Sequence, residues 1–247
     1  MSQHQQLGWG VELTGHPVIL DAWADRLAVP FEPWIERHTH NGRQITALRS
    51  SAISNAVDSQ DARRIGKIEL DHIKGAMAIE SGPLAVPIDL GSSINVQPDG
   101  TIHECHFIEV HDAVIVTSMT AVQIVARDAH GVIFAPPPPA RSRAQTVHAA
   151  AVQNPLISKM LAHAGRATDW YEMYKALEVA EDLVGGEKVL QQISGLSARR
   201  FKDLKQTINF ERHSGKKHQP PKRPVPKGEA TSLVLATANR TLNHLGI

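Results

Sequence analysis

Cysteine, secretion signals and long apolar runs are what this sequence lacks. Its 247 residues contain one cysteine, Cys105, so no disulfide can form within the chain, which favours a reducing compartment. The N-terminal residues show no basic segment followed by an apolar run, and no apolar run approaches the roughly 18 residues of a membrane span. These absences predict a soluble cytoplasmic protein without a membrane partner.

Charge is unevenly distributed, although the formal net charge is only +1. Residues 1–140 carry 9 Lys and Arg against 16 Asp and Glu, whereas residues 141–247 carry 17 against 9. The segment 199–227 alone has 10 basic and 2 acidic residues. A basic cluster of this kind attracts polyanions through phosphate contacts and counterion release. Two alternatives are that the oppositely charged halves attract each other, or that the basic segment is a solvated loop.

Four consecutive prolines divide the chain within "APPPPARSRAQ", residues 135–145. Because proline lacks the backbone donor of helices and sheets and favours an extended conformation, we predict a semi-rigid linker over residues 136–145. It separates an α+β domain over 1–135 from an all-α domain over 146–247. The first domain is interpreted as a sensor, partner-binding or inhibitory domain, and its sequence does not distinguish these.

Strand and helix patterns alternate in the first domain. "GWGVELTG" predicts a strand, "HPVILDAWADRLA" a short helix, and residues 58–80 a longer helix. The segments "PWIERH" and "RQITALRS" flank Asn41-Gly42, a strong hairpin signal. The β-branched stretch from Gly100 to Arg127 predicts two or three more strands, so part of the sheet should be antiparallel.

Side chains that can bind metals alternate in "HECHFIEVH". In a strand, His103, Cys105, Glu109 and His111 share one face, and these residue types ligate metals. Their spacing matches no metal-binding motif, and such residues commonly line a half-exposed sheet face. We therefore predict no metal and no cofactor for this chain.

Helical periodicity governs residues 146–247. Asn154-Pro155 and the pair Asp169 and Glu172 are helix-start signals. Gly185-Gly186 ends the second of these helices, whose predicted buried stripe consists of Trp170, Met173, Tyr174, Leu177 and Val184. Ser197 caps "ARRFKDLKQTINF", a short helical turn is expected over 187–193, and residues 227–245 form a terminal helix. Amphipathic helices with short connections predict a helical bundle.

One connection in this bundle is long: "ERHSGKKHQPPKRPVPKG", residues 211–228. It contains six Lys and Arg, two His and four Pro. Long connections inside compact domains are usually functional or disordered. Arg212 precedes His218 by six residues, and His213 follows Arg212 directly, so the Arg–His pair converges only if the chain bends after the helix.

These residues resemble the signature of HEPN domains, which are compact helical bundles of many prokaryotic defence and toxin systems. In that signature an Arg and a polar residue precede a His, with four to six residues between Arg and His, as Arg212, His213 and His218 do here. The segment "DWYEMYKALEVAEDLVGG" is also similar to a helix of bacterial proteins with such domains. The resemblance covers residues 150–247.

The resemblance implies a metal-independent endoribonuclease that acts as a homodimer on RNA. The RNA 2′-hydroxyl would attack its own phosphate, with His218 transferring or orienting the proton and Arg212 stabilising the phosphate charge. His213 would be a polar support. The residues expected to bind the RNA backbone are Arg199, Lys202, Lys216, Lys217, Lys222 and Arg223.

Two other functions fit the same residues. The basic loop could serve a nucleic-acid-binding or dimeric interaction module that does not cleave, because fold alone does not determine activity. Alternatively, Arg212 pairs with Glu211 or another acidic neighbour and both histidines are solvated. RNA cleavage that survives chelation would distinguish the enzyme from both.

Overall fold

The computed structural model of the chain describes residues 7–40, 42–82, 87–107, 140–213 and 221–247. The chain divides into two compact units, one of residues 1–67 and 86–142 and the other of residues 68–85 and 143–247. The described part of the chain has no helix that is long and apolar enough to cross a membrane. An antiparallel sheet with helices comes first and mostly helices follow, so the predicted α+β character is confirmed at this level.

Five strands form an antiparallel sheet in the described part of the first unit. They are β1 (Gly8–Thr14), β2 (Trp34–His40), β3 (Arg43–Arg49), β4 (Asp89–Val96) and β5 (Ile102–Cys105), in the order β2-β3-β1-β4-β5. The predicted hairpin is confirmed, because β2 and β3 pair in register from Trp34 and Arg49 to His40 and Arg43. Gly42 adopts a φ of 74° in its turn, which glycine tolerates best; Asn41 lies outside the described residues.

The helices of the first unit lie beside this sheet. They are α1 (Pro17–Arg26), α2 (Ser51–Ser54) and the first part of α3 (Ser59–Ser81). A Cβ atom on Gly66 of α3 would lie 2.8 Å from Cγ2 of Val11 in β1. Gly66 therefore lets the helix approach the sheet closely. The opposite sheet face buries its own apolar cluster of Ile45, Ala47, Ile94, Val96 and Ile102.

In the described part of the first unit one charged side chain, Arg49, is fully buried. Its Nη1 donates a hydrogen bond of 2.8 Å to the carbonyl oxygen of Gly8, and its Nε lies 3.1 Å from a carboxylate oxygen of Glu36. Burial lowers the pKa of Arg49 from its usual value, and the Glu36 carboxylate opposes this. Gly10 leaves room for Arg49, since a Cβ there would lie 2.7 Å from the Arg49 Cδ.

The described residues of the second unit form six helices and the second part of α3. The six are α4 (Arg143–Gln153), α5 (Pro155–Ala164), α6 (Trp170–Val184), α7 (Glu187–Ile193), α8 (Ala198–Arg212) and α9 (Lys227–His244). The predicted helix starts at Asn154 and Asp169 are confirmed: Asn154 Oδ1 accepts from the backbone of Leu156 at 2.9 Å, and Asp169 Oδ1 from that of Tyr171 at 2.8 Å. The Glu172 carboxylate contacts His163 and Arg166 instead of the backbone of Asp169. Gly185 ends α6 in the left-handed conformation, with a φ of 83°, as its position predicts.

A close helix crossing connects α3 to α5 within the second unit. A Cβ atom on Gly75 would lie 2.2 Å from the carbonyl oxygen of Leu161, and one on Gly165 would lie 3.0 Å from the backbone nitrogen of Gly75. Only glycine at position 75 permits this approach. Ile73 and Met77 of α3 are buried, whereas Ile68 is 47% exposed.

Two elements differ from the sequence-based expectation. Strand β4 was not predicted, because Gly91, Ser92 and Ser93 interrupt its apolar pattern. Helix α4 begins at Arg143, inside the segment 136–145 predicted as a linker. Residues 136–139 and the predicted strands beyond β5 lie outside the described residues. Residues 68–82 group with the C-terminal helices, whereas the sequence analysis placed them in the domain over 1–135.

Candidate functional site

Helix α8 carries the residues to which the sequence analysis assigns a function. It begins as predicted, with the Ser197 hydroxyl accepting a hydrogen bond of 3.2 Å from the backbone of Arg200. Phe201, Leu204 and Ile208 are buried and fix one side of the helix in the second unit. The helix ends at Arg212, with His213 as its C-terminal cap. The predicted bend after Arg212 therefore begins at a helix end.

The opposite side of α8 presents polar and basic side chains. Arg199, Lys202 and Gln206 are exposed, and Asn209 and His213 continue the same row with half-buried side chains. Steps of three and four residues place all five along one helix face. The row extends over fourteen helical steps, from Arg199 to His213, which is about 21 Å at the helical rise. Its two exposed cations suit contact with an extended anionic backbone.

Arg212 is held in place by an aromatic ring. Its guanidinium carbon lies 3.4 Å from the ring centroid of Tyr174 in α6, a cation–π contact. Its Nε donates a hydrogen bond of 3.0 Å to Oδ1 of Asn209. Among the described residues no carboxylate forms an ion pair with Arg212. The alternative pairing with Glu211 is therefore not what positions this guanidinium.

A small cavity of about 90 Å³ lies beside the Tyr174 ring, lined by Tyr174, Leu177, Glu178, Glu181, Lys205 and Ile208. Lys205 Nζ reaches both Glu181 and Glu187, the latter at 3.0 Å. Burial alone lowers the pKa of Lys205, but the hydrogen bonds and charges of the two glutamates outweigh it, so the pKa is raised. Lys205 thus links α8 to α6 and α7 through two ion pairs. The cavity is small compared with the roughly 300 Å³ of typical ligand sites.

The chain that leads into α9 carries two more of the predicted basic residues. Lys222 and Arg223 are exposed. Val225, just after them, is buried and donates a backbone hydrogen bond of 3.1 Å to Oγ1 of Thr207 in α8. This contact fixes the chain beside α8. His218, Lys216 and Lys217 lie outside the described residues, so the structure gives no distance from Arg212 to His218.

The metal-capable residues of the first unit are only partly described. His103 and Cys105 lie in β5, which ends at Cys105, whereas Glu109 and His111 lie outside the described residues. In the described ranges, no group of three or more His, Cys, Asp or Glu side chains could hold a metal ion. Cys105 is a half-buried free thiol.

Sequence reasoning missed a buried histidine pair in the second unit. His72 of α3 and His148 of α4 are each 4% exposed, and their ring centroids are 5.4 Å apart. His72 Nε2 lies 2.7 Å from the Ser158 hydroxyl, while His72 Nδ1 and His148 Nε2 are buried with no hydrogen-bond partner among the described residues. Burial lowers the pKa of both, that of His148 to about 4, and both rings are therefore neutral at pH 7.

Tyr174 was also misjudged, because helical spacing assigned it to the core stripe. Met173 and Leu177 of that stripe are buried, but Tyr174 is half-buried and its ring contacts the Arg212 guanidinium.

Comparison with protein-family models, curated proteins and solved structures finds no match. The resemblance to HEPN domains rests on the residues of this chain alone.

Proposed function

We propose that the protein is a metal-independent endoribonuclease whose site lies at the C-terminal end of α8 and in the connection that follows. One observation carries the proposal. The Arg212 guanidinium stacks on the Tyr174 ring and donates a hydrogen bond to Asn209, and no carboxylate among the described residues forms an ion pair with it. Because no ion pair neutralises this guanidinium, its terminal N–H groups can donate two hydrogen bonds to a phosphate.

The proposed chemistry needs no protein nucleophile. The 2′-hydroxyl oxygen of RNA forms a bond to the adjacent phosphorus, and the bond from that phosphorus to the 5′-oxygen breaks. The products are a 2′,3′-cyclic phosphate and a 5′-hydroxyl. His218 transfers or orients the reacting proton, Arg212 stabilises the phosphate charge, and His213 supports that end of the helix. Lys216, Lys217, Lys222 and Arg223 bind the backbone.

We further propose that the C-terminal helices form a HEPN-like bundle and that two copies associate through it. The support is the family resemblance, in which the loops of two copies face one groove. Light scattering on the full chain should then give twice the 27.0 kDa of one chain. A strictly monomeric chain that still cleaves RNA would exclude a site shared between copies.

The decisive experiment compares variants in RNA cleavage and in RNA binding. His218→Ala should abolish cleavage and keep most binding, because it removes a proton-handling group and no fixed charge. Arg212→Ala should reduce both. The double variant Lys216→Ala/Lys217→Ala should mainly weaken binding and lower its salt slope by about two units at most. Cleavage should persist in EDTA.

A second candidate function is a nucleic-acid-binding module that does not cleave. The observation that favours it is the exposed row of Arg199, Lys202 and Gln206 along α8, which can contact phosphates without any catalytic group. If the full wild-type chain binds RNA in a salt-dependent manner but never cuts it, the enzyme proposal fails and this binding module takes its place.

A further inference from the structure

The first unit contains a cavity, wide open to the surface, that the proposed ribonuclease site does not use. Its volume is about 340 Å³, and its lining consists of Gln60, Arg63, Arg64 and Lys67 of α3 and Phe107 after β5. This volume falls at the lower end of small-molecule sites, which span about 300–1,000 Å³. Three cations and one aromatic ring in one concave site define a specific ligand chemistry.

The sequence of α3 explains why the polar lining faces outward together. Arg63, Arg64 and Lys67 lie three, four and seven residues after Gln60, so the four side chains share one helix face. The other face of the same turns is fixed on the sheet, with Ala62 buried and Gly66 against Val11. The helix is therefore held by its apolar side while it presents its cations.

Two of the lining residues, Arg63 and Phe107, are held against each other on one side of the cavity. The Arg63 guanidinium lies over the Phe107 ring, with its central carbon 4.8 Å from the ring centroid. Arg63 also donates a hydrogen bond of 2.5 Å to the carbonyl oxygen of Gly91 in β4. These contacts fix the planar guanidinium and the ring together at the cavity, where an aromatic base can stack.

The other two cations are accessible to an anion. The Arg64 side chain is 66% exposed, and its one ion pair among the described residues is with Asp61, one turn earlier, at 2.6 Å; exposed pairs of this kind are weak. Lys67 is exposed, and no described carboxylate forms an ion pair with it. The Arg64 guanidinium and the Lys67 ammonium, three residues apart on the helix, can together bind the negative charges of a phosphate chain.

We propose that this cavity binds a nucleotide, with the base against Phe107 and Arg63 and the phosphates on Arg64 and Lys67. A single aromatic ring in a concave site accommodates one base rather than a strand of RNA. The first unit would then be a nucleotide-binding unit, and this assignment is independent of the chemistry proposed for α8.

Calorimetric titration of the full chain with ATP, adenosine and inorganic triphosphate tests the proposal. ATP should bind saturably, and adenosine and triphosphate alone should each bind at least tenfold more weakly. Phe107→Leu and Lys67→Glu should each weaken ATP binding at least tenfold. Arg37→Ala, an exposed cation on β2 outside the cavity, is the matched control and should bind ATP as the wild type does.

Several outcomes would overturn the assignment. One is the absence of binding up to about 1 mM ATP. Another is that triphosphate binds as tightly as ATP, which would show that the site binds polyanions without recognising a base. A third is ATP binding that survives both cavity variants but is lost in Arg212→Ala, which would place the nucleotide at α8. Because Lys67 is exposed, Lys67→Glu remains informative even if Phe107→Leu does not fold.

Discussion

At the scale of single residues, the buried pair of His72 and His148 makes the helical unit sensitive to acid. An unfolded histidine titrates near 6.5, whereas the pKa of His148 in the fold is about 4, owing to burial and to His72. The unfolded chain therefore binds more protons than the folded chain between these two values, and stability falls as the pH falls through this window. Asp71 partly opposes the lowered pKa of His72.

His148→Gln should flatten this pH dependence. The gap between 6.5 and about 4 for His148 corresponds to about 3 kcal/mol of unfolding free energy, lost between about pH 7 and pH 4. The measurement is the opening free energy of peptides from α4 and α5 by hydrogen exchange, normalised at each pH to the unfolded rate. His244→Gln, at an exposed position, is the control and should keep the wild-type slope. An unchanged slope in His148→Gln would contradict the argument.

Tyr174 gives a second prediction at this scale, which rests on the proposed function. Tyr174→Leu should weaken RNA binding by about 2- to 30-fold, because it removes a cation–π contact worth about 0.5–2 kcal/mol that holds Arg212. Tyr174→Phe keeps the ring and should bind RNA nearly as the wild type does. Fluorescence anisotropy with a labelled single-stranded RNA measures both. Equal losses in the two variants would assign the effect to the hydroxyl group instead of the ring.

The sequence could not reveal either of these contacts. Tyr174 lies next to the buried Met173, and helical spacing alone does not distinguish a core position from its half-buried border. His72 and His148 are separated by 76 positions in the chain. They meet only because the second part of α3 and α4 belong to the same unit. In contrast, Asn154, Asp169, Gly185 and Ser197 were predicted correctly, since a helix end depends on local backbone chemistry.

At the scale of elements, the crossing of α3 and α5 depends on Gly75. Gly75→Ala should destabilise the helical unit by about 1–3 kcal/mol or more, because the new Cβ would overlap the Leu161 carbonyl and the helices would have to separate. Gly228→Ala in the first turn of α9 is the matched control. Nothing lies within 4 Å of a Cβ there, so that variant should be neutral or up to about 1 kcal/mol more stable. Urea unfolding followed by circular dichroism compares them.

Strand β4 shows why an element can escape prediction. Its residues Gly91, Ser92 and Ser93 are weak strand formers, yet β4 pairs with both β1 and β5. Gly91 leaves room for the Glu12 side chain, since a Cβ there would lie 2.7 Å from a Glu12 carboxylate oxygen. The strand is thus specified by partners distant in sequence, whereas the β2–β3 hairpin is specified by its own turn.

At the scale of the whole molecule, α3 belongs to both units. Residues up to Lys67 group with the sheet and residues from Ile68 onward with the C-terminal helices. The second part of α3 buries Leu70, Ile73, Ala76, Met77 and Ile79, and each full burial of an Ile, Leu or Met side chain contributes about 1.5–3 kcal/mol. The helical unit is therefore incomplete without a segment that precedes the proline run.

This sharing predicts the result of cutting the chain at the proline run. A sequence-specific protease site placed between residues 136 and 140 should give two fragments that stay together in size-exclusion chromatography and separate only in denaturant. The reason is that residues 68–82 remain in the N-terminal fragment while their apolar side chains complete the helical unit. Gly75→Ala in the same cleavable chain should weaken this association, and Gly228→Ala should not. A C-terminal fragment that elutes alone with its full helix content would show instead that residues 146–247 fold independently.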